Sequence, residues 1–282
     1  MVTTPDFTVP SAARIYDYLL DGKDHFAADR EAARRLFAAF PEAPLLARAN
    51  RRFLTRAVWY LAEHGIRQYI DLGSGLPTIS LNVHEIARQV RPDARVVYVD
   101  NDPVAATHGR AMCDFGDDIA FIEADIRGPQ EILTDPQLTR LIDFSAPVGI
   151  LGVSLLHFVP DEDNPREIMT AFRWRMASDS YLVLSHVTSD GSDAQVLGDV
   201  TDVYKESGTP AVPRTAADIE GFFTGLDLVE PGLIDVTQWR SDMQEKPNKI
   251  RLLAGVGRKP RELPRLVTNH EDPPLSPGGW WR

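Results

Sequence analysis

Apolar residues recur at helical spacing through the first part of the chain. Ala12, Ile15, Tyr16, Leu19 and Leu20 form one stripe, with Ser11 placed to cap it and Gly22 to end it. Phe26, Ala33, Leu36 and Phe37 form a second, which predicts a helix over 24–40 that Pro41 and Pro44 break. A third helix is predicted over 44–64, stopped at Gly65, where a left-handed residue is commonly needed. Beyond Gly65 the pattern changes. Short β-rich runs at Gln68–Leu72, Arg95–Asp100, Ile119–Glu123, 148–153 and 181–185 alternate with helical stretches such as 78–90 and 103–114. Asp102-Pro103 is a good helix start, with an acidic cap and a proline at the first helical position. Two more helical stretches are predicted within 194–233 and a last strand over 249–256.

Strands in such alternation need crossover helices and lie parallel, which gives an α/β three-layer sandwich with a mostly parallel, Rossmann-like sheet. The division expected is a helical cap over 1–65, a core over 66–258 and a tail over 259–282. Pro260, Pro264, Pro273, Pro274 and Pro277 make that tail too proline-dense for regular structure.

Composition narrows the function. With 282 residues, 43% of them hydrophobic and 25% charged, the chain has ample material for a core. A net charge of -11 argues against affinity built on neutralising phosphates or anionic lipid heads, so neither nucleic acid nor membrane is the expected partner. Cys113 is the single cysteine, the start lacks the basic and apolar segments of a secretion signal, and no run of 18 apolar residues occurs. A cytoplasmic protein is expected.

The chemistry concentrates at Tyr69 through Thr78, a strand entering a glycine turn and then a helix. Gly73 and Gly75 allow a tight turn and close approach of a ligand, and open α/β sheets bind ligands at the carboxyl ends of their strands. A lone GxG is weak evidence, but the second strand ends in Asp100, placed to accept from both hydroxyls of a ribose, and the third is followed by Asp125, placed to accept from an adenine amine. A dinucleotide fingerprint would carry a third glycine where Thr78 stands. Asp71, just before the turn, suits a ligand bearing an ammonium and a sulfonium better than one bearing phosphates. S-adenosylmethionine is therefore the expected cofactor. A nicotinamide-dependent oxidoreductase and a non-catalytic nucleoside-binding regulatory protein stay open as alternatives.

With these residues in view, the sequence resembles class I S-adenosylmethionine-dependent methyltransferases, and more narrowly a bacterial family of predicted S-adenosyl methyltransferases first catalogued as a domain of unknown function. The resemblance is carried by Ala-Arg-Ile-Tyr-Asp-Tyr-Leu-Leu-Asp-Gly-Lys-Asp-His-Phe at 13–26, Asp-Leu-Gly-Ser-Gly-Leu-Pro at 71–77 and Val-Tyr-Val-Asp-Asn-Asp-Pro at 97–103, and it runs over about 11–256. It implies that Asp71, Gly73, Ser74 and Gly75 line the methionine end, Asp100 holds the ribose and Asn101 packs beside the adenine. Asp125 and Ile126 would finish the adenine pocket, and Gly152 and Val153 would lie under the cofactor. Pro77 departs from the wider superfamily's third glycine, which implies a modified turn.

For the transfer itself, positioning the nucleophile supplies about 7–11 kcal/mol of the barrier and a general base about 10²- to 10⁴-fold, so a base is needed only where the acceptor must lose a proton. The catalytic candidates are His157 and His186, ranked first for their place at strand ends, and His25. Tyr16, Tyr18, Lys23, His25 and Arg51 form a polar and aromatic set suited to cover a pocket. The acceptor expected is a small molecule, and no metal ligands are assigned. Trp174, Trp239, Trp280 and Trp281 have no motif context.

Overall fold

A computed structural model describes residues 6–78, 82–113, 117–243 and 248–261. Trp280, Trp281 and the prolines from Pro264 onward lie outside the described residues. The chain opens with three helices, α1 (Ala12–Leu19), α2 (Ala27–Ala39) and α3 (Ala43–Glu63). There follow β1 (Gln68–Leu72), α4 (Val83–Arg88), β2 (Arg95–Asp100), α5 (Pro103–Cys113), β3 (Ile119–Glu123), α6 (Pro129–Leu133), α7 (Pro136–Leu141) and β4 (Gly149–Val153). The rest is α8 (Pro165–Arg175), β5 (Tyr181–Thr188), α9 (Ala194–Glu206), α10 (Ala216–Glu220), β6 (Asp227–Leu228), β7 (Ile234–Asp235) and β8 (Arg251–Arg258).

The strands form one sheet in the order β3-β2-β1-β4-β5-β8-β6, with β7 also on β8. From β3 to β5 every pairing is parallel, and β8 runs antiparallel to β5. This bears out the α/β, mostly parallel expectation. The strand order reverses between β1 and β4, so the loops after these two strands part and leave a crevice at their carboxyl ends.

Alternation along the strands sorts side chains into two cores. Tyr69, Tyr98, Phe121 and Val183 face α3, α4 and α5, whereas Ile70, Val97, Ile122 and Leu184 face α6, α7 and α8. A third cluster joins α1 and α2 to Leu197 and Val200 of α9. Ala57, Val58 and Leu61 of α3 are buried against the sheet, whereas α1 and α2 pack with α9 in the third cluster. Among the described residues, no helix is long and apolar enough to cross a membrane.

Element boundaries differ from the sequence reading where capping decides them. α2 starts at Ala27, because Asp29 turns back to accept from the Phe26 N–H at 2.7 Å. α4 starts at Val83, where the Asn82 N–H donates to Glu85 at 2.7 Å. β5 runs three residues further than predicted and β8 lies two residues later, at 251–258, because the two pair with one another along their whole length. α6, α7 and α8 were not predicted, and each carries proline at its first position.

Candidate active site

A cavity of about 680 Å³ opens at the carboxyl ends of β1 to β4 and is covered by α1, α2 and the residues before them. That volume lies in the range of small-molecule sites, about 300–1,000 Å³. Gly73 and Gly75 turn the chain beneath it with φ of +63° and +64°. A side chain at Gly73 would also meet Leu155 Cδ1 at 2.5 Å.

Asp100 holds this turn. Its Oδ2 accepts from the Gly75 N–H at 2.7 Å and its Oδ1 from the Asp102 N–H at 2.8 Å. Burial pushes its carboxyl up to about 6 against these two bonds. Asp71 also lines the cavity, is 6% exposed, and has no hydrogen-bond donor reaching it from the described residues. Burial pushes it up to about 7; the nearby Arg51 guanidinium opposes that and Asp100 adds to it. Arg51 itself donates to Thr78 Oγ1 at 3.1 Å.

Ser74, Asn101, Ile126 and Val153 line the same cavity, as does Tyr16. Asp125 is there too, but its carboxylate is already engaged. Arg127 donates to it from the backbone and from Nε and Nη2, and Asn101 Nδ2 lies 3.4 Å away. The Arg127 side chain holds the Asp125 carboxyl below its usual range. Gly152 is not part of the wall, and a side chain there would press on Leu184 Cδ2 at 2.9 Å.

The three histidines separate. His186 lies on the other face of the sheet, because neighbours on a strand point to opposite sides and Ser185 takes the cavity side. Its Nδ1–H donates to the Val187 carbonyl at 2.7 Å, its Nε2 accepts from Arg214 at 2.9 Å, and its ring stacks on Phe222. Burial pushes its imidazole down to about 4. His25 is also outside the cavity wall, with Nε2 at 3.1 Å from the Gly22 carbonyl and its ring edge-on to Tyr18. His157 alone of the three lines the cavity. Burial first, then His186 and Arg214, hold it well below the ordinary imidazole range, so the ring is neutral at pH 7.

A chain of hydrogen bonds ties the cap to the sheet beside it. The Tyr16 hydroxyl donates to the Ala47 carbonyl at 3.1 Å and accepts from Asn50 Nδ2 at 2.9 Å; Asn50 Oδ1 accepts from Ser185 Oγ at 2.7 Å, and Ser185 accepts from the Ser154 N–H at 2.9 Å. Burial raises the Tyr16 phenol, which stays neutral. A second tie is ionic: Arg14 Nε lies 3.1 Å from Asp29 and its Nη1 lies 3.7 Å from Asp102, all three side chains at most 5% exposed.

The model of the S-adenosyl methyltransferase family matches residues 3–260. The chain belongs to that family. Two solved structures are similar to this S-adenosyl methyltransferase over almost its whole length. A candidate methyltransferase from Thermobifida fusca YX shares 40% identity, covers 91% of this chain and 97% of its own, and superposes with a TM-score of 0.86. A DUF574 family protein from Streptomyces avermitilis MA-4680 shares 40% identity, with 90% and 99% covered and a TM-score of 0.86. No curated protein matches the chain. S-adenosylmethionine is the methyl donor of this methyltransferase, and neither the nicotinamide nor the non-catalytic alternative gains support from these likenesses.

Sequence reasoning missed the cavity-lining residues Arg14 and Asn50 of the methyltransferase, and Ser185, which anchors Asn50. Arg14, Asn50 and Ser185 act through partners many residues away, so no local spacing marks them. Asp102 carried one usable signal, as the cap of α5, where it accepts from the Val104 and Ala105 N–H groups at 2.8 and 3.2 Å.

Proposed function

We propose that the cavity holds S-adenosylmethionine with its methionine end at Asp71, Gly73, Ser74 and Gly75, its ribose at Asp100 and its adenine beside Asn101, Asp125 and Ile126. The methyl group then goes to a small-molecule acceptor in the cytoplasm. The single observation that carries this reading is the Asp71 carboxylate, buried at the cavity wall beside the two-glycine turn with no hydrogen-bond donor among the described residues. A buried carboxylate is costly without a partner, and an ammonium or sulfonium is the partner it lacks. Asp100 retains lone pairs beyond the two backbone bonds it accepts, as two ribose hydroxyls require. For adenine, the Asp125 carboxylate is shared with Arg127, so Asn101 and Ile126 carry more of that recognition than Asp125. The bound cofactor supplies an electrophilic methyl on sulfonium; the protein orients it and excludes water.

This reading sets a pH dependence for binding. With its carboxyl at about 7 in the empty protein, Asp71 is largely protonated at about pH 6 and largely ionised at about pH 8. Only the ionised form attracts the ligand's ammonium, so affinity for S-adenosylhomocysteine should rise up to about tenfold across that interval. Asp71→Asn should flatten the rise. Calorimetric titrations at the two pH values check it, with NAD as the control. Equal pH dependence in wild type and variant, or a stronger interaction with NAD, would remove the assignment.

A further inference from the structure

The cavity is divided by charge, and that division bears on the acceptor. Every charged side chain lining it among the described residues comes from α1 and the residues before it, from Arg51 of α3, from the ends of β1 and β2, or from the loops after β2 and β3. The remaining walls carry none. Leu36 of α2 and Phe40 just after it, Leu197 and Val200 of α9, and Ala211 and Pro213 of the following segment make this lining largely apolar, with the hydroxyls of Thr201, Tyr204 and Thr209 set among them.

His157 lines the cavity next to Phe158, whose ring meets Tyr204 of α9 at 5.2 Å, and its imidazole, like the Tyr204 hydroxyl, has no hydrogen-bond partner among the described residues. His157 is 5% exposed, and its Nδ1 is fully shut from water. The ring is held firmly all the same. Phe158 packs against it at 4.4 Å between centroids and His186 at 5.4 Å, and the Val212 N–H donates to the His157 carbonyl at 2.7 Å. A buried polar group left unpaired costs about 1–3 kcal/mol, and a fixed one facing a ligand cavity is a standing demand for a matching group.

We propose that the acceptor is an uncharged, largely apolar molecule bearing a hydroxyl group, which seats in the apolar half of the cavity and hydrogen-bonds to the His157 imidazole. This rests on the reading of the charged half as the cofactor's place. With Nδ1 shut in, Nε2 is the ring nitrogen left open, and a hydroxyl, which can both donate and accept, satisfies it in either neutral tautomer. A carboxylate acceptor would be desolvated here, because no cation lines these walls and the Arg214 guanidinium that acts on His157 is already committed to Asp161 and to the Leu156 and Val159 carbonyls. An ammonium would meet the neutral ring without a carboxylate.

The test uses the full chain saturated with S-adenosylhomocysteine, and three probes of one shape: 1-naphthol, naphthalene and 1-naphthoate. Calorimetry should show naphthol binding at least about tenfold more tightly than naphthoate. His157→Phe should weaken naphthol about threefold to tenfold and leave naphthalene unchanged, the size of one neutral hydrogen bond. Naphthoate binding as tightly as naphthol, an absence of naphthol binding, or a variant that weakens naphthol and naphthalene alike overturns the proposal. The comparison of probes on the wild-type protein stands even if the variant does not fold. Failure of the cofactor reading is read separately, as loss of S-adenosylhomocysteine binding before any probe is added.

Discussion

Replacing Arg14 by methionine should lower the unfolding free energy by about 3 kcal/mol, measured by chemical denaturation at neutral pH. Removing one partner of a buried ion pair costs about 3–5 kcal/mol, because the charge left behind has neither water nor a counter-ion. Here two carboxylates are left behind, Asp29 and Asp102. Each keeps backbone donors: Asp29 the Ser11 and Phe26 N–H groups, Asp102 those of Val104 and Ala105. Those bonds place the expected cost at the low end of the range. Methionine keeps an unbranched apolar stem where the arginine methylenes ran, so a large loss reports the missing guanidinium more than the missing stem packing. Arg14 Nη2 also donates to the Val9 carbonyl at 2.6 Å, so the segment over the cavity should loosen too. A loss below about 1 kcal/mol would mean the trio does not hold the cap.

Asp100→Ala should weaken S-adenosylhomocysteine binding at least about tenfold. Hydrogen bonds to a charged acceptor contribute about 1.5–3 kcal/mol each, and the ribose hydroxyls would lose both, while the Gly75 N–H loses its anchor as well. Stability should respond differently. A carboxyl whose folded value is raised to about 6 contributes most stability below its unfolded value near 3.8, and that contribution is lost as pH rises through about 6. Above that point the native protein carries a buried charge, so Asp100→Asn should relieve a cost there while still impairing binding. Calorimetry beside a melting curve at about pH 8 separates the two effects. A variant that binds as well as wild type would remove Asp100 from the ribose site.

Much of this was legible in the sequence because buried parallel strands are short, apolar and β-branched, and Arg-Val-Val-Tyr-Val-Asp at β2 admits little else. The glycine turn and the aspartates at 71 and 100 were legible too, since ligand approach and strand ends fix them locally. Other features were not. The α6–α8 helices begin at prolines that also read as breakers. His186 was ranked by its nearness to a strand end, but one residue along a strand reverses the face. Asp125 looked free because the reach of Arg127, two residues on, is a matter of side-chain conformation. The apolar walls come from α2, α9 and 208–213, which meet only when the chain is folded.

The long antiparallel pairing of β5 with β8 guards the site against a specific error. Eight consecutive partners, Tyr181 with Arg258 through Thr188 with Arg251, fix the strand's phase. Displacement by a single residue would send the His186 imidazole under the cap and bury the Ser185 hydroxyl beside Phe222, severing Asn50 from its anchor. Fidelity of the binding chamber is thus secured at a strand pair that lends it no charged side chain.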